Sequence, residues 1–133
     1  MSIETDIRKH LITVPQLTNF VGERIMPYPL KPDSNGKVIP GITYMKLNPN
    51  RVKTHGGHSG LSHPIIQFSS WSYQWDECRA IADNLISYMD EFSGLMNGRP
   101  VYASFVNSET VIFDPDTQLY HIPVDFEIYL KSE

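Results

Sequence analysis

The chain has 133 residues, of which 41% are hydrophobic, 11% aromatic and 20% charged, and this excludes disorder along its whole length. That size accommodates one domain able to bury an ordinary core without disulfides or a metal. A formal charge of −4 argues against a dedicated nucleic-acid binder, which carries a basic face or stripe.

Cys78 is the only cysteine, so no intramolecular disulfide can form. Its apolar setting, with Trp75, Ile81 and Ala82, marks it as a buried small hydrophobe rather than a catalytic thiol. Met1 to His10 is polar and acidic, unlike a signal peptide. No run approaches the roughly 18 apolar residues of a membrane span, so the expected compartment is cytoplasm-like.

In chain order, Ser2 is placed to cap a helix whose first turn holds Glu4 and Asp6, where the helix dipole favours acids. Ile3, Ile7 and Leu11 form one apolar stripe, and Pro15 ends or kinks this helix. A short helical piece, Gln16 to Val21, stops at Gly22. Arg24-Ile25-Met26 starts an extended segment that meets Pro27, Pro29 and Pro32, which predicts an edge strand leaving into a loop. Gly41 to Leu47 reads as a strand, and Asn48 to His63 as a long, mobile polar loop.

Ile65 to Trp71 is the next strand, with Ser72 as the expected cap of a long helix. That helix shows Cys78, Ala82, Leu85, Ile86, Met89 and Phe92 on one face and is expected to close at Ser93-Gly94. Val101 to Val106 reads as a strand, and Asp114-Pro115-Asp116 as a turn. The last strand alternates, with Tyr120, Ile122, Val124, Phe126, Ile128 and Leu130 toward the core. Pro123 within it points to an edge position or a bulge. The order predicts a single α+β domain over residues 1–133: a mainly antiparallel sheet with a long helix and an N-terminal helix packed on it.

The chain has no phosphate loop, GxGxxG, GxSxG elbow, paired CxxC or HExxH, and it is expected not to be an enzyme and to need no cofactor. The candidate interaction loop carries Lys46, Arg51, Lys53, His55, His58 and His63. His55, His58 and His63 are of a type that binds zinc, copper or nickel, which makes a metal-dependent binding domain one alternative. Their glycine-rich setting, without a carboxylate or a known ligand spacing, favours a solvated loop without metal. Trp71, Tyr73 and Trp75 are expected to anchor the helix against the sheet rather than to stack on a ligand.

The run Gly60-Leu61-Ser62-His63-Pro64-Ile65-Ile66-Gln67-Phe68-Ser69-Ser70-Trp71-Ser72, with Cys78-Arg79-Ala80-Ile81-Ala82-Asp83 and Leu85 after it, resembles the tail completion proteins of siphophages. Val21-Gly22-Glu23-Arg24-Ile25 is similar to their VG-x-RI segment and Pro40-Gly41-Ile42-Thr43-Tyr44 to their P-x-x-x-Y strand. Gln67 and Trp71 match the x-x-Q-x-x-x-W strand, and Val124 to Tyr129 the closing strand. Asn97 to Gln118 departs most from the pattern. The resemblance implies a virion protein assembled in the host cytoplasm, with no membrane. It further implies a homo-oligomeric ring, commonly a hexamer, at the head-proximal end of the tail. Such a ring sits on the major tail tube protein, stops its polymerisation and meets the head's connector or stopper, with DNA passing its lumen. A head-closure or stopper role in the same particle is the nearest alternative.

Overall fold

The computed structural model describes residues 2–47, 53–54, 57–58 and 61–131, with the backbone alone for 53–54 and 57–58. Helix α1 spans Ile3–Leu11. The Ser2 hydroxyl accepts a hydrogen bond from the Thr5 N–H at 3.1 Å, supplying one of the donors that a helix start leaves open. Ile3, Ile7 and Leu11 are all buried, each contributing about 2 kcal/mol of apolar burial. Pro15 starts the second helix, α2 (Pro15–Val21), where its missing N–H costs nothing. Gly22 ends α2 at φ 59°, a backbone conformation open to glycine.

Strand β1 (Ile25–Pro27) is an edge strand, as its prolines require. It runs parallel to β2 (Gly41–Lys46). Two short strands, β3 (Lys53–Thr54) and β4 (Gly57–His58), pair with each other, and β5 (Leu61–Ser62) joins the main sheet. Among its described residues, the stretch read as a long polar loop contains three short strand segments. β6 (Ile65–Ser72) continues β5 in the same register against the last strand, with Pro64 interrupting the ladder between them.

Helix α3 covers Trp75–Met89 and packs across β6 and the last strand. Its N-cap is Gln74 rather than Ser72. Ser72 closes β6, and its hydroxyl accepts from the Gln74 N–H at 3.0 Å and donates to Glu77 at 2.7 Å. The helix also stops short of Ser93-Gly94. The Asp90 carboxylate takes the Val106 N–H at 3.0 Å, and Glu91, at φ 63°, donates its N–H to the Ser104 carbonyl at 2.6 Å. Those two contacts pull the chain off the helix and onto a strand edge. Phe92, beyond the helix, still packs against the core and meets the rings of His10 and Tyr88.

β7 (Gly94–Met96) and β8 (Arg99–Glu109) form a hairpin through Asn97 and Gly98, both at positive φ. β9 (Ile112–Asp114) and β10 (Leu119–Lys131) follow, joined by the turn at Pro115 to Gln118. The main sheet runs β1-β2-β6-β10-β8-β7, with β5 and β9 also paired to β10. The sheet is mixed, since β1 and β2 are parallel and the other pairs antiparallel.

Pro123 lies in the central strand β10, not at an edge. Its carbonyl accepts from the Thr110 N–H at 3.0 Å, so its ring nitrogen faces the same way and offers Thr110 no donor. That missing bond falls in the gap between β8 and β9, which keep one register against β10 on either side of it. Register shifts at Asp125/Phe126 and Tyr129/Leu130 complete the irregularity.

All three helices lie on one face of the sheet, over Ile42, Ile66, Phe68, Ile122, Val124, Phe126, Ile128 and Leu130, every one buried. The core also takes in Cys78, whose thiol is pushed up in pKa first by burial, as expected of a structural cysteine. An ion pair ties the first helix to the β7–β8 hairpin. Asp6 accepts from Arg99 Nε at 2.8 Å and from Asn97 Nδ2 at 2.8 Å. Burial opposes ionisation of Asp6, but the hydrogen bonds from Asn97 and Arg99 and the Arg99 charge hold its carboxyl below the usual range.

Asp6→Ala leaves the Arg99 guanidinium without its carboxylate and is expected to cost about 3 kcal/mol, measured by denaturant unfolding at pH 7. Because the folded-state pKa of Asp6 is depressed, the wild-type advantage is present above the unfolded value and shrinks as pH falls through the folded one.

Candidate interaction surface

The face of the sheet opposite the helices carries side chains from alternate positions of the same strands. Trp71 of β6 points to this face, not to the helices, and stacks on His121 of β10 with ring centroids 4.1 Å apart. Its indole N–H donates to the Thr43 hydroxyl of β2 at 2.9 Å, so Trp71 joins three strands. Next along β6, Gln67 donates to Asp125 at 2.9 Å, and Asp125 accepts from Ser108 of β8 at 2.8 Å. Further on, Tyr129 donates to Glu127 at 2.6 Å and meets Phe105 edge-on. Gln67 and Trp71, the two residues of the strand pattern in the sequence, thus lie on the open face.

His63 belongs to the same surface. Its ring stacks on Tyr129 at 5.5 Å, and its Nδ1 is 3.4 Å from Glu127. Lys46 is half-buried at the end of β2 and lines a cleft of about 290 Å³ with Pro27, Tyr28, Tyr44 and Met45. Lys53 and His58 sit opposite each other on the β3–β4 ladder. Arg51 and His55 lie outside the described residues. The structure therefore places Lys46 at one sheet edge and His63 near β10, and does not bring these two together. No group of three or more His, Cys, Asp or Glu side chains among the described residues is arranged to hold a metal.

Trp75, the first residue of α3, is 39% exposed and contacts Tyr120, which in turn meets Phe113 of β9 at 4.7 Å. It is this tryptophan, not Trp71, that links the helix start to the sheet. The β7–β9 side carries apolar side chains that no motif marks: Leu95, Tyr102, Phe105, Val111, Ile112 and Phe113 are all exposed. Their signal was present as Val111-Ile112-Phe113 beside a turn.

A sheet with helices on one face, and aromatic and polar cross-strand pairs open on the other, has the build of a module that acts through surface contact. The family described as tail completion protein gp17 matches residues 5–131, and the chain belongs to that family of phage tail structural proteins. A chain in the virion of a native gene transfer agent (GTA) particle shares the fold, with a TM-score of 0.70 at 10% identity over 98% of this chain and 96% of that one. No curated protein sequence matches.

Burial lowers the pKa of His121 on its tryptophan, so the folded state resists the proton that the unfolded chain accepts near pH 6.5. Stability is therefore full above that pH and falls as pH drops toward 5. His121→Phe keeps the stacking and is expected to flatten this slope in part, the remainder arising from His10, also lowered by burial. Urea midpoints at pH 7 and pH 5 measure it. Trp71→Ala is expected to cost about 2 kcal/mol in the same assay, below the value for a fully buried indole.

Proposed function

We propose that this protein is a tail terminator: a homo-oligomeric ring, hexameric by analogy with the family, that caps the head-proximal end of the tail tube and joins it to the head. The family match over residues 5–131 carries the reading. The open sheet face and the exposed apolar side chains supply the kind of surface that such an assembly needs. Its partners are then further copies of itself, the major tail tube protein and the connector or stopper of the head. DNA passes the lumen, where contact is electrostatically weak for a chain of net charge −4. Its place is the virion tail, reached after assembly in the host cytoplasm.

One face of a terminating ring must fit the tube while the other refuses a further tube subunit, a polarity that closed rotational symmetry permits. A weak contact between free subunits suffices, because the tube end holds bound copies at high local concentration. The chemistry is then binding alone, with no catalytic step. The metal-dependent alternative has little to build on, because His63 is already engaged with Glu127 and Tyr129.

Particles produced without this chain are expected to show tails of uncontrolled length, or finished tails unattached to heads, by electron microscopy. Complementation with the wild-type chain should restore infectivity. Normal-length tails joined to heads in its absence would overturn the assignment.

A further inference from the structure

The two long margins of the sheet differ in chemistry. On the β1–β2 side, the exposed apolar residues Tyr28, Met45 and Leu47 lie with Lys31, Lys37 and Lys46, none of which has a carboxylate partner among the described residues. Tyr28, Met45 and Lys46 line the cleft of about 290 Å³, which Glu4 also lines. On the β8–β9 side, exposed Val111, Ile112 and Phe113 adjoin Asp114 and Asp116, with Asp90 and Glu91 on the same margin. The sheet order puts these two patches on different margins of the sheet.

Neither margin offers a bare strand edge of full length. Arg8 donates from Nε to the Ile25 carbonyl at 2.6 Å, occupying β1. Asp90 and Glu91 occupy β8 at Val106 and Ser104. Contact at either margin must therefore be made through side chains, where apolar complementarity and charge decide the partner.

We infer that the acidic, apolar β8–β9 margin of one copy docks on the basic β1–β2 margin and cleft of the next. The occupant of each patch is thus a second copy of this chain. The patches are unlike each other and opposite in sign, so each would repel its own kind. That excludes a two-fold contact of like with like, and where each copy gives one patch to each of two neighbours the contact is head-to-tail, which generates a ring when the rotation closes. This inference rests on the ring proposed above and names the surfaces that would form it.

The test uses purified full-length chain and tail tubes of the same particle. One variant makes both margins basic, by Val111→Lys with Asp116→Lys and Glu91→Lys. The other makes both acidic, by Lys31→Glu with Lys37→Glu and Lys46→Glu. All six positions are exposed or half-buried, and circular dichroism with thermal melting checks that each variant is folded. Each variant alone should lower ring occupancy of tube ends, scored by negative-stain microscopy, about tenfold. An equimolar mixture should recover it, since basic and acidic margins then alternate. Rings formed by either folded variant alone at wild-type occupancy would overturn the margin assignment and leave the ring standing. Loss in both variants with no recovery on mixing would overturn the charge pairing. Absence of wild-type rings on tube ends would remove the ring reading, and this inference with it.

Discussion

Strand β10 pairs with β5 and β6 along one side and with β8 and β9 along the other, so its register sets the position of nearly every other strand. Side chains alternate faces along a strand, and a slip of one residue would carry Ile122, Val124, Phe126, Ile128 and Leu130 out of the core together. The penalty for that slip is the burial of five large apolar groups, about 2 kcal/mol each. Placing the apolar set under the helices leaves His121, Asp125, Glu127 and Tyr129 on the open face, where they meet Trp71, Gln67, Ser108 and His63. Core and open face are therefore two sides of one constraint.

Elements controlled by local chemistry were readable from the chain. Ser2 caps α1 as its position promised, Gly22 stops α2, and the alternation of β10 names the core correctly. Where distant residues decide, the reading went astray. The end of α3 is set by Asp90 and Glu91 bonding to β8, which nothing in the helical periodicity reports. The tolerance for Pro123 in a central strand depends on a break in its partner at Thr110. The β7–β8 hairpin did have a local sign, Asn97-Gly98, flanked by too short a run to be read as a strand.

The surface was partly legible. Lys46 and His63 were singled out for charge and metal chemistry, yet one lines a cleft at the sheet edge and the other stacks on Tyr129. Gln67 stands out through a family pattern and Trp71 also as an expected helix anchor, and their common face follows from the register of β6 on β10. Asp6 was read as a helix-dipole residue. Its partner Arg99 is 93 positions away, a separation that no local pattern spans.

Arg8 on β1, and Asp90 with Glu91 on β8, have a consequence for the chain before it meets any partner. A bare strand margin is a template for cross-β stacking, which does not reverse. By placing an arginine head on one margin and a carboxylate with a backbone N–H on the other, the fold interrupts both as templates for such stacking.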